Sequence, residues 1–466
     1  MTAALSGAPP GAIVWPLLAG ILLMLLADRM AVRTLVRIAV VASLVTLALA
    51  VAETLPVPGR ATDGAWLGDR LATALPVLLA MPGVVASVWL SSQAASGQAP
   101  DGPGWRHPLV ALQLLTAGAV VAVRADPLFL MLTGLALAAA ALAMLAPARQ
   151  VLGRVAILGG LLLTAWLGIA MLSVGLGQPA SWTALAGGGT AIPAALRLFG
   201  QLLLMLPMLL AAGLGPISLM QPASDESGTH PATAASRALL PLLPGLPALI
   251  VTLRLRALPE PDPTLLRLDI LVLSGAGLLI MLLGVALLPA CRTLADRLAG
   301  VSMLHLGAAT IGFGVGGTMG VAAGLLILSF LCLGLPLAWL PAAPGPAGWI
   351  RRVAILALAG LPPFGPFAAL FMLLLRLSAD LPLVAVLVLA VFCAGALALL
   401  STPWTPVTGL PARPASLLPA AIVLLLLATC GIAMPAPASD WLLGIGESLA
   451  GATWPALPSP HPGATP

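Results

Sequence analysis

The sequence predicts an all-α polytopic membrane protein with about 14 transmembrane helices. Of its 466 residues, 60% are hydrophobic and only 8% are charged, whereas about a quarter of a soluble domain is usually charged. The mean hydropathy is +1.11. Apolar runs of about 20 residues, the length that crosses a bilayer core, follow one another along the chain. The segments between them are short and rich in Gly, Pro and Ser, so no soluble domain is expected.

The apolar runs define the predicted spans and the organisation of the chain. In order, the spans are 11–27, 35–54, 72–92, 108–124, 127–147, 152–176, 193–214, 236–253, 268–289, 298–317, 318–340, 350–378, 381–401 and 415–434. Three units follow: helices 1–3 in residues 1–107, a core of helices 4–13 in 108–401, and a last transmembrane helix with a Pro/Ala/Gly-rich tail in 402–466.

The distribution of arginine predicts the orientation. Loops after odd-numbered spans hold twelve arginines and loops after even-numbered spans hold eight. Because cytoplasmic loops are enriched in arginine, both termini are predicted on the outer side, most simply of a bacterial inner membrane. The arginines are scattered at helix ends and form no basic patch, so nucleic-acid binding is not indicated.

Two of the predicted spans are broken by proline. The seventh contains Pro207 within LLLMLPMLLAAGLGP, and the twelfth contains Pro362 and Pro363 within LAGLPPFGPF. Proline removes a backbone donor where lipid offers no replacement. Since the two broken helices are five apart, helices 4–8 and 9–13 are predicted to be inverted five-helix repeats with an ion path at the breaks. The alternative is that proline is simply abundant, with 45 in the chain.

Three stretches resemble motifs of a known family. They are PISLMQP at 216–222, ACRTLADRLAGVSMLHLG at 290–307, and GLPPF at 360–364, which Phe367 completes. In this order they are similar to the proton-translocating antiporter-type subunits of respiratory complex I, multisubunit cation/proton antiporters and hydrogenase-4 or formate hydrogenlyase complexes. The resemblance covers about residues 108–400.

The resemblance implies proton movement driven by electron transfer in partner subunits, with no redox site or cofactor in this chain. The partners would be other membrane and hydrophilic subunits of an NADH-quinone oxidoreductase-like or hydrogenase-like complex. It also implies buried lysines and a glutamate, but here apolar or small residues take most of those places. They are Ala211, Gly245 or Leu246, and Ala295 for lysines, Leu370 for a lysine or glutamate, and Thr133, Gly134 or Leu135 for the glutamate of the fifth helix. The family's histidines fall on Ser218 and near Asp225.

Two facts independent of any alignment exclude the usual proton path. The chain contains no lysine, and no acidic residue lies between Asp126 and Asp225. Arginine stays charged and cannot replace a lysine that gives and takes a proton. The sequence therefore predicts a degenerate member with a structural or coupling role. The alternative is a stand-alone secondary transporter for a small solute or ion that uses the same breaks.

A few polar residues remain as candidates for an ion path, beside Pro207, Pro362 and Pro363 at the breaks. His305 lies well inside the tenth span and either relays a proton or stays neutral, bonded to a backbone carbonyl on a neighbouring broken helix. Asp126 opens the fifth span and either flanks a pore or caps a helix. Asp225, Glu226 and His230 form a loop cluster that either binds a cation weakly or is solvated. No catalytic, cofactor or metal motif is present.

Overall fold

The fold is described by a computed structural model of residues 9–26, 29–54, 66–67, 69–95, 106–144, 148–214, 242–258, 263–290, 294–338, 346–401, 418–434 and 436–450. Within these ranges the chain forms 17 α-helices and no β-strand. They are α1 Gly11–Leu26, α2 Val32–Thr54, α3 Arg70–Ala95, α4 Arg106–Arg124, α5 Leu128–Met144, α6 Ala148–Leu176, α7 Trp182–Gly188, α8 Ala194–Leu209, α9 Leu242–Arg256, α10 Pro263–Leu287, α11 Leu294–Val315, α12 Gly317–Ala338, α13 Pro346–Leu358, α14 Gly365–Asp380, α15 Pro382–Leu400, α16 Leu418–Ile432 and α17 Ala436–Ala450.

The all-α polytopic membrane fold is confirmed. Among the described residues, eight helices are individually long and apolar enough to cross a membrane: α2, α3, α6, α8, α10, α11, α12 and α15. The shorter helices α1, α4, α5, α9 and α16 occupy five further predicted spans. The twelfth span is divided into α13 and α14, because three prolines between residues 362 and 366 interrupt the helical hydrogen bonds. Together these account for the 14 predicted spans.

Two further helices were not predicted. The short helix α7 precedes α8, and the side chain of its N-cap residue Ser181 accepts a hydrogen bond from the Ala184 backbone. The second, α17, follows the last transmembrane helix within the segment predicted as a Pro/Ala/Gly-rich tail. It is held by apolar packing, since Leu442 and Ile445 are buried.

The interior of the molecule is centred on α11 and α12. The span Arg297–Val315 is 100% buried and Gly317–Ala338 is 89% buried, whereas Val155–Leu176 in α6 is 22% buried. The outer helices thus present apolar faces to the surroundings, and the two central helices are almost entirely covered by protein, apart from the exposed Met319 near the start of α12. A polar group on α11 is therefore shielded from lipid on all sides.

The helix contacts repeat between the two halves of the core. In the first half, α4 packs on α5, α6 on α8, and α9 on α4, α5 and α8. In the second half, α10 packs on α11, α12 on both α13 and α14, and α15 on α10, α11 and α14. Because each repeat has an odd number of spans, the second repeat runs through the membrane in the direction opposite to the first. This pattern matches the predicted inverted repeats of helices 4–8 and 9–13.

Close glycine contacts mark the first helix pair of each repeat. A Cβ added at Gly118 of α4 would lie 2.6 Å from the Gly134 carbonyl oxygen of α5. The equivalent atom at Gly277 of α10 would lie 2.6 Å from the Gly307 carbonyl oxygen of α11. Small residues let membrane helices approach backbone to backbone, and both repeats use this contact at the same helix pair.

Candidate ion path at the helix breaks

The first break lies at the end of α8. Pro207 has no N–H to bond the carbonyl of Leu203, and the five residues Leu210–Leu214 continue the helix as a π-turn. The Leu210 N–H reaches the carbonyls of both Leu206 and Pro207. The helix is therefore loosened here, and Pro207 itself is buried.

A cavity of about 40 Å³ lies beside this break, between α5, α6, α8 and α9. Its lining is apolar and includes Leu135, Pro207, Met208, Ala211 and Ala248. A buried water needs two to four polar partners, which such a lining does not supply. The lining therefore does not favour a bound water, although the volume would admit one.

The positions that the family resemblance assigns to charged residues lie in or near this region. Ala211 and Leu135 line the cavity itself. Gly245 and Leu246 of α9 are buried. Thr133 is exposed, and its hydroxyl donates a hydrogen bond to the Leu130 carbonyl of its own helix. In the second half, Leu370 of α14 is also buried. The side chain of Ala295, and residues Ser218, Asp225, Glu226 and His230, lie outside the described residues.

The second break lies between α13 and α14. Gly360 has a φ of +71°, a left-handed conformation that favours glycine, and the Pro362–Pro363 peptide bond is cis. A Cβ at Gly360 would lie 2.5 Å from Cε1 of Phe392 on α15. Gly431 of α16 packs even more closely against the Pro363 carbonyl. Neighbouring helices therefore hold the break on these two sides.

His305 lies on α11 and is 1% exposed. Its Nδ1 is 2.9 Å from the Val301 carbonyl oxygen. Because a carbonyl can only accept, Nδ1 carries the hydrogen and Nε2 has the free lone pair of the neutral ring. Among the described residues, Nε2 has no hydrogen-bond partner. The expected carbonyl partner is present, but it belongs to the histidine's own helix and not to a neighbouring broken one.

Phe392 connects His305 with the second break. The two rings meet edge to face, with centroids 5.3 Å apart and planes inclined by 72°. Phe392 also lies against Gly360. Of the predicted candidates, His305 is thus linked through Phe392 to Gly360, which precedes Pro362 and Pro363 in the chain, whereas Pro207 belongs to the break in the first half.

Asp126 acts as a cap in the structure. Its carboxylate accepts hydrogen bonds from the Thr183 backbone N–H at 3.0 Å and from the Thr183 hydroxyl at 2.8 Å. Its own carbonyl accepts from the N–H of Trp182 at 3.0 Å. Asp126 therefore caps α7, which lies farther along the chain. It does not cap α5, the helix that follows it directly in sequence.

Two ion pairs were missed by sequence reasoning. Arg124 at the end of α4 binds Glu53 near the end of α2, and both side chains are almost fully buried. Arg254 of α9 binds both carboxylate oxygens of Asp69 at 3.0 Å. The partners are 71 and 185 residues apart, so no local spacing could reveal them. The only sequence signal for these ion pairs was a charged residue next to a long apolar run.

The described residues contain no group of three or more His, Cys, Asp or Glu side chains placed to hold a metal ion. Within the same ranges the polar atoms at the breaks are single groups, not clusters. The arrangement is able to accept a proton at His305 and to host water only where backbone carbonyls are freed.

No family model matches the sequence, and no curated protein matches it. Solved structures are similar over nearly the whole chain. A chain of the membrane-bound sulfane sulfur reductase, an archaeal respiratory membrane complex, matches with a TM-score of 0.74 and 15% identity, covering 94% of this chain and 96% of its own. A chain of the Mrp complex from Dietzia sp. DQ12-45-1b matches with a TM-score of 0.70 and 17% identity, with the same coverage of 94% and 96%.

Respiratory complex I from Thermus thermophilus provides a third match. One of its chains has a TM-score of 0.66 and 19% identity, covering 95% of this chain and 98% of its own. Identities this low establish the fold alone. The chain therefore has the fold of membrane subunits of these respiratory and Mrp complexes, which is the fold that its antiporter-type motifs predict.

Proposed function

We propose that this chain is a membrane-arm subunit of a complex I-like, hydrogenase-4-like or cation-antiporter-like assembly, in which it lacks the usual lysine and glutamate proton path. Its role there is structural or coupling. The fold shared with respiratory and Mrp complexes supports the assembly role. The observation that carries the loss of the path is the apolar cavity at Ala211 and Leu135, where the family resemblance calls for charged side chains.

The physical argument concerns the cost of buried charge. An ionisable group at mid-bilayer costs about 2.5–3.5 kcal/mol on insertion scales, so it persists where function or pairing requires it. Once its role is lost, replacement by Ala, Gly or Leu is favourable. All twenty basic residues of the chain are arginines, which cannot cycle protons near neutral pH.

The proposal includes an organisation and a location. Residues 108–401 form the antiporter-like core, residues 1–107 add three helices to it, and residues 402–466 add the last transmembrane helix and the C-terminal segment. The chain lies in a bacterial inner membrane with both termini outside. It binds other membrane subunits and hydrophilic subunits, and the redox cofactors belong to those partners.

His305 offers the one residual proton-accepting group that we assign to the second half. Among the described residues its Nε2 has no hydrogen-bond partner, its ring meets Phe392 edge to face, and the prolines of the second break leave backbone carbonyls that are able to bind water. A proton reaching this point would pass between water and Nε2. This residual conduction is a separate claim from the assembly role, and the two are tested separately.

Purification in mild detergent tests the assembly role. A tag on this chain is expected to recover a stoichiometric complex that contains other membrane subunits and redox subunits. Recovery of the chain alone, together with solute or ion transport by that isolated chain in liposomes, would instead establish the stand-alone transporter.

Proton flux by the reconstituted complex tests the residual path. His305→Ala is expected to lower proton movement per electron transferred, and Thr310→Val provides a matched control. Thr310 is also fully buried on α11 and bonds only its own helix, at the Leu306 carbonyl. Unchanged flux in His305→Ala would remove the residual path and leave a purely structural subunit.

A further inference from the structure

Arg351 of α13 is a buried arginine without an acidic partner. It is 5% exposed, about as buried as Arg124 and Arg254, which each bind a carboxylate. Among the residues that the structure describes, no hydrogen bond or ion pair involves the side chain of Arg351, and its Nε is enclosed without a partner. A buried charge persists where a counter-charge or hydrogen bonds compensate its loss of hydration. This guanidinium therefore requires an anion that the described part of the chain does not supply.

The sequence around α13 is almost free of acidic residues. Asp380 is the only one between Asp296 and Asp440. The helices that pack most extensively on α13 are α12, α14 and α16, and within them Asp380, the last residue of α14, is the only acid. Its carboxylate pairs with Arg376. None of these neighbouring helices therefore brings a carboxylate to Arg351.

Arg351 lies at one edge of the membrane. It precedes Pro362 of the second break by eleven residues, which corresponds to about 16 Å of helix. Arg376 follows Pro363 by thirteen residues, or about 20 Å, on the other side of the break. Because a hydrocarbon core is about 30 Å thick, the two arginines lie near its opposite edges. Phospholipid headgroups lie just outside the core and are therefore level with Arg351.

The surface beside Arg351 has further features of a lipid–water interface. Trp349 is 62% exposed, and tryptophan is enriched at the headgroup level of membranes. The next residue, Arg352, is exposed as well. The first turn of α13 contains no acidic residue, so nothing in it opposes the positive end of the helix dipole. Because helical side chains lean towards the N-terminus, the guanidinium of Arg351 is directed to this first turn.

The outward face of α13 continues from this edge into the membrane core. Trp349, Arg352, Val353 and Leu356 follow one another at helical spacing, and each is exposed or half-buried. Below the arginine this face is apolar, so lipid acyl chains lie along it. An anion that reaches Arg351 from this side and also fits the apolar face is a lipid with a charged headgroup.

We propose that Arg351, with Arg352 and Trp349, binds the phosphate of an anionic phospholipid. The guanidinium of Arg351 donates charge-assisted hydrogen bonds to phosphate oxygens, and the indole ring of Trp349 lies at the headgroup level. Two arginines without an acid favour an anionic lipid over a zwitterionic one. The site goes beyond the assembly role, because it holds for a subunit of a complex and for a stand-alone chain alike.

Titration with lipid, followed by native mass spectrometry, tests the site. The protein is purified in mild detergent with the subunits that accompany it, depleted of lipid and titrated with phosphatidylglycerol. Arg351→Gln is expected to weaken binding of the tightest lipid about tenfold or more, because hydrogen bonds to a charged group are lost. Arg351→Lys keeps the charge but not the planar fork and is expected to lose less. The matched control Arg37→Gln removes an exposed arginine of α2 and is expected to bind as the parent does.

Thermal unfolding in micelles gives an independent measurement. Without lipid, Arg351→Met is expected to be at least as stable as the parent, because it removes a buried charge that nothing in the chain compensates. Phosphatidylglycerol is expected to raise the unfolding temperature of the parent and of Arg37→Gln, but not that of Arg351→Met. Phosphatidylcholine and inorganic phosphate, at the same concentration, are expected to give smaller shifts.

Four results would overturn the lipid site. Equal affinities of Arg351→Gln and Arg37→Gln would show that Arg351 does not bind lipid. A loss of stability in Arg351→Met, with and without lipid, would show a partner inside the chain. An equal shift with inorganic phosphate would assign the site to a free anion. Release of a subunit by Arg351→Gln, with unchanged lipid binding, would assign it to a partner's carboxylate. None of these results contradicts the assembly role, which co-purification tests.

Discussion

The ion pair between Arg124 and Glu53 is expected to be a principal contact between the first helices and the core. Arg124 is the last residue of α4, and Glu53 lies at the end of α2 with its second oxygen accepting from the Ala12 N–H of α1 at 3.1 Å. The side chains are 9% and 7% exposed. A carboxylate at a helix C-terminus is opposed by the helix dipole, so Glu53 depends on its arginine.

Replacing Arg124 with glutamine removes the charge and leaves a buried carboxylate without its counterion. Breaking a buried pair from one side costs about 3–5 kcal/mol of unfolding free energy. Removing both charges, in Glu53→Gln combined with Arg124→Gln, is expected to cost less than the sum of the two single changes. The excess of the sum over the double change measures the interaction.

The matched control is Asp380→Asn on α14. Asp380 pairs with Arg376 at 2.7 Å in a helical i, i+4 arrangement, and the two side chains are 17% and 27% exposed. Pairs of this kind contribute about 0.3–0.5 kcal/mol. Unfolding of the purified chain in mixed micelles, followed by circular dichroism as denaturing detergent is added, gives both free energies under one set of conditions.

The reasoning on burial is refuted by either of two results. One is a loss for Arg124→Gln no larger than for Asp380→Asn. The other is additivity of the two single changes at the buried pair, which would mean that the charges do not interact.

Three further substitutions, with Gly160→Ala as their control, test the packing. Gly307→Ala is expected to lower the free energy of unfolding by about 1–3 kcal/mol, because its Cβ would meet the α10 backbone. Gly160→Ala, with open space around it, is expected to raise the free energy of unfolding by up to about 1 kcal/mol in the same micelle assay. Equal effects of the two substitutions would contradict the close contact at Gly307. Gly360→Ala is expected to lower thermal stability by more than Gly160→Ala does, since its left-handed backbone and the ring beside it both resist a Cβ. Gln113→Leu is expected to lower the free energy of unfolding by about 0.6 kcal/mol, because Gln113 donates a hydrogen bond to Ser43 at 2.9 Å in a buried cluster. A loss of several kcal/mol would contradict this small contribution of the hydrogen bond.

The membrane spans could be predicted because hydropathy over 20 residues decides them. The interruption of the twelfth span followed from Pro362, Pro363 and Pro366, since no neighbouring residue restores the missing donors. The inverted repeats followed from the spacing of the two breaks. The spans and the interruption are each decided within one helix and are readable from a short window of sequence, whereas the repeats are readable only by comparing two helices five spans apart.

The site could be predicted only in part, because its contacts join distant segments. His305 was found from its position in an apolar run, but Phe392, which covers it, lies on another helix 87 residues later and carries no signal of its own. Asp126 was expected to act near its own helix, and its partner is Thr183 on a short helix that hydropathy does not detect. Helices such as α7 and α17 are too short for a span and depend on tertiary contacts.

The two breaks differ in their surroundings although the five-helix pattern repeats. Pro207 is buried beside an apolar cavity, whereas Pro362 is exposed. An apolar interior at the first break costs little to keep, since it packs like any core. At the second break, Leu358 and Ala359, whose carbonyls lack a donor four residues later, are themselves buried, and the ring of Phe392 joins this break to His305. The second break is therefore where a remaining role of this subunit should be sought, and proton flux in His305→Ala examines that place directly.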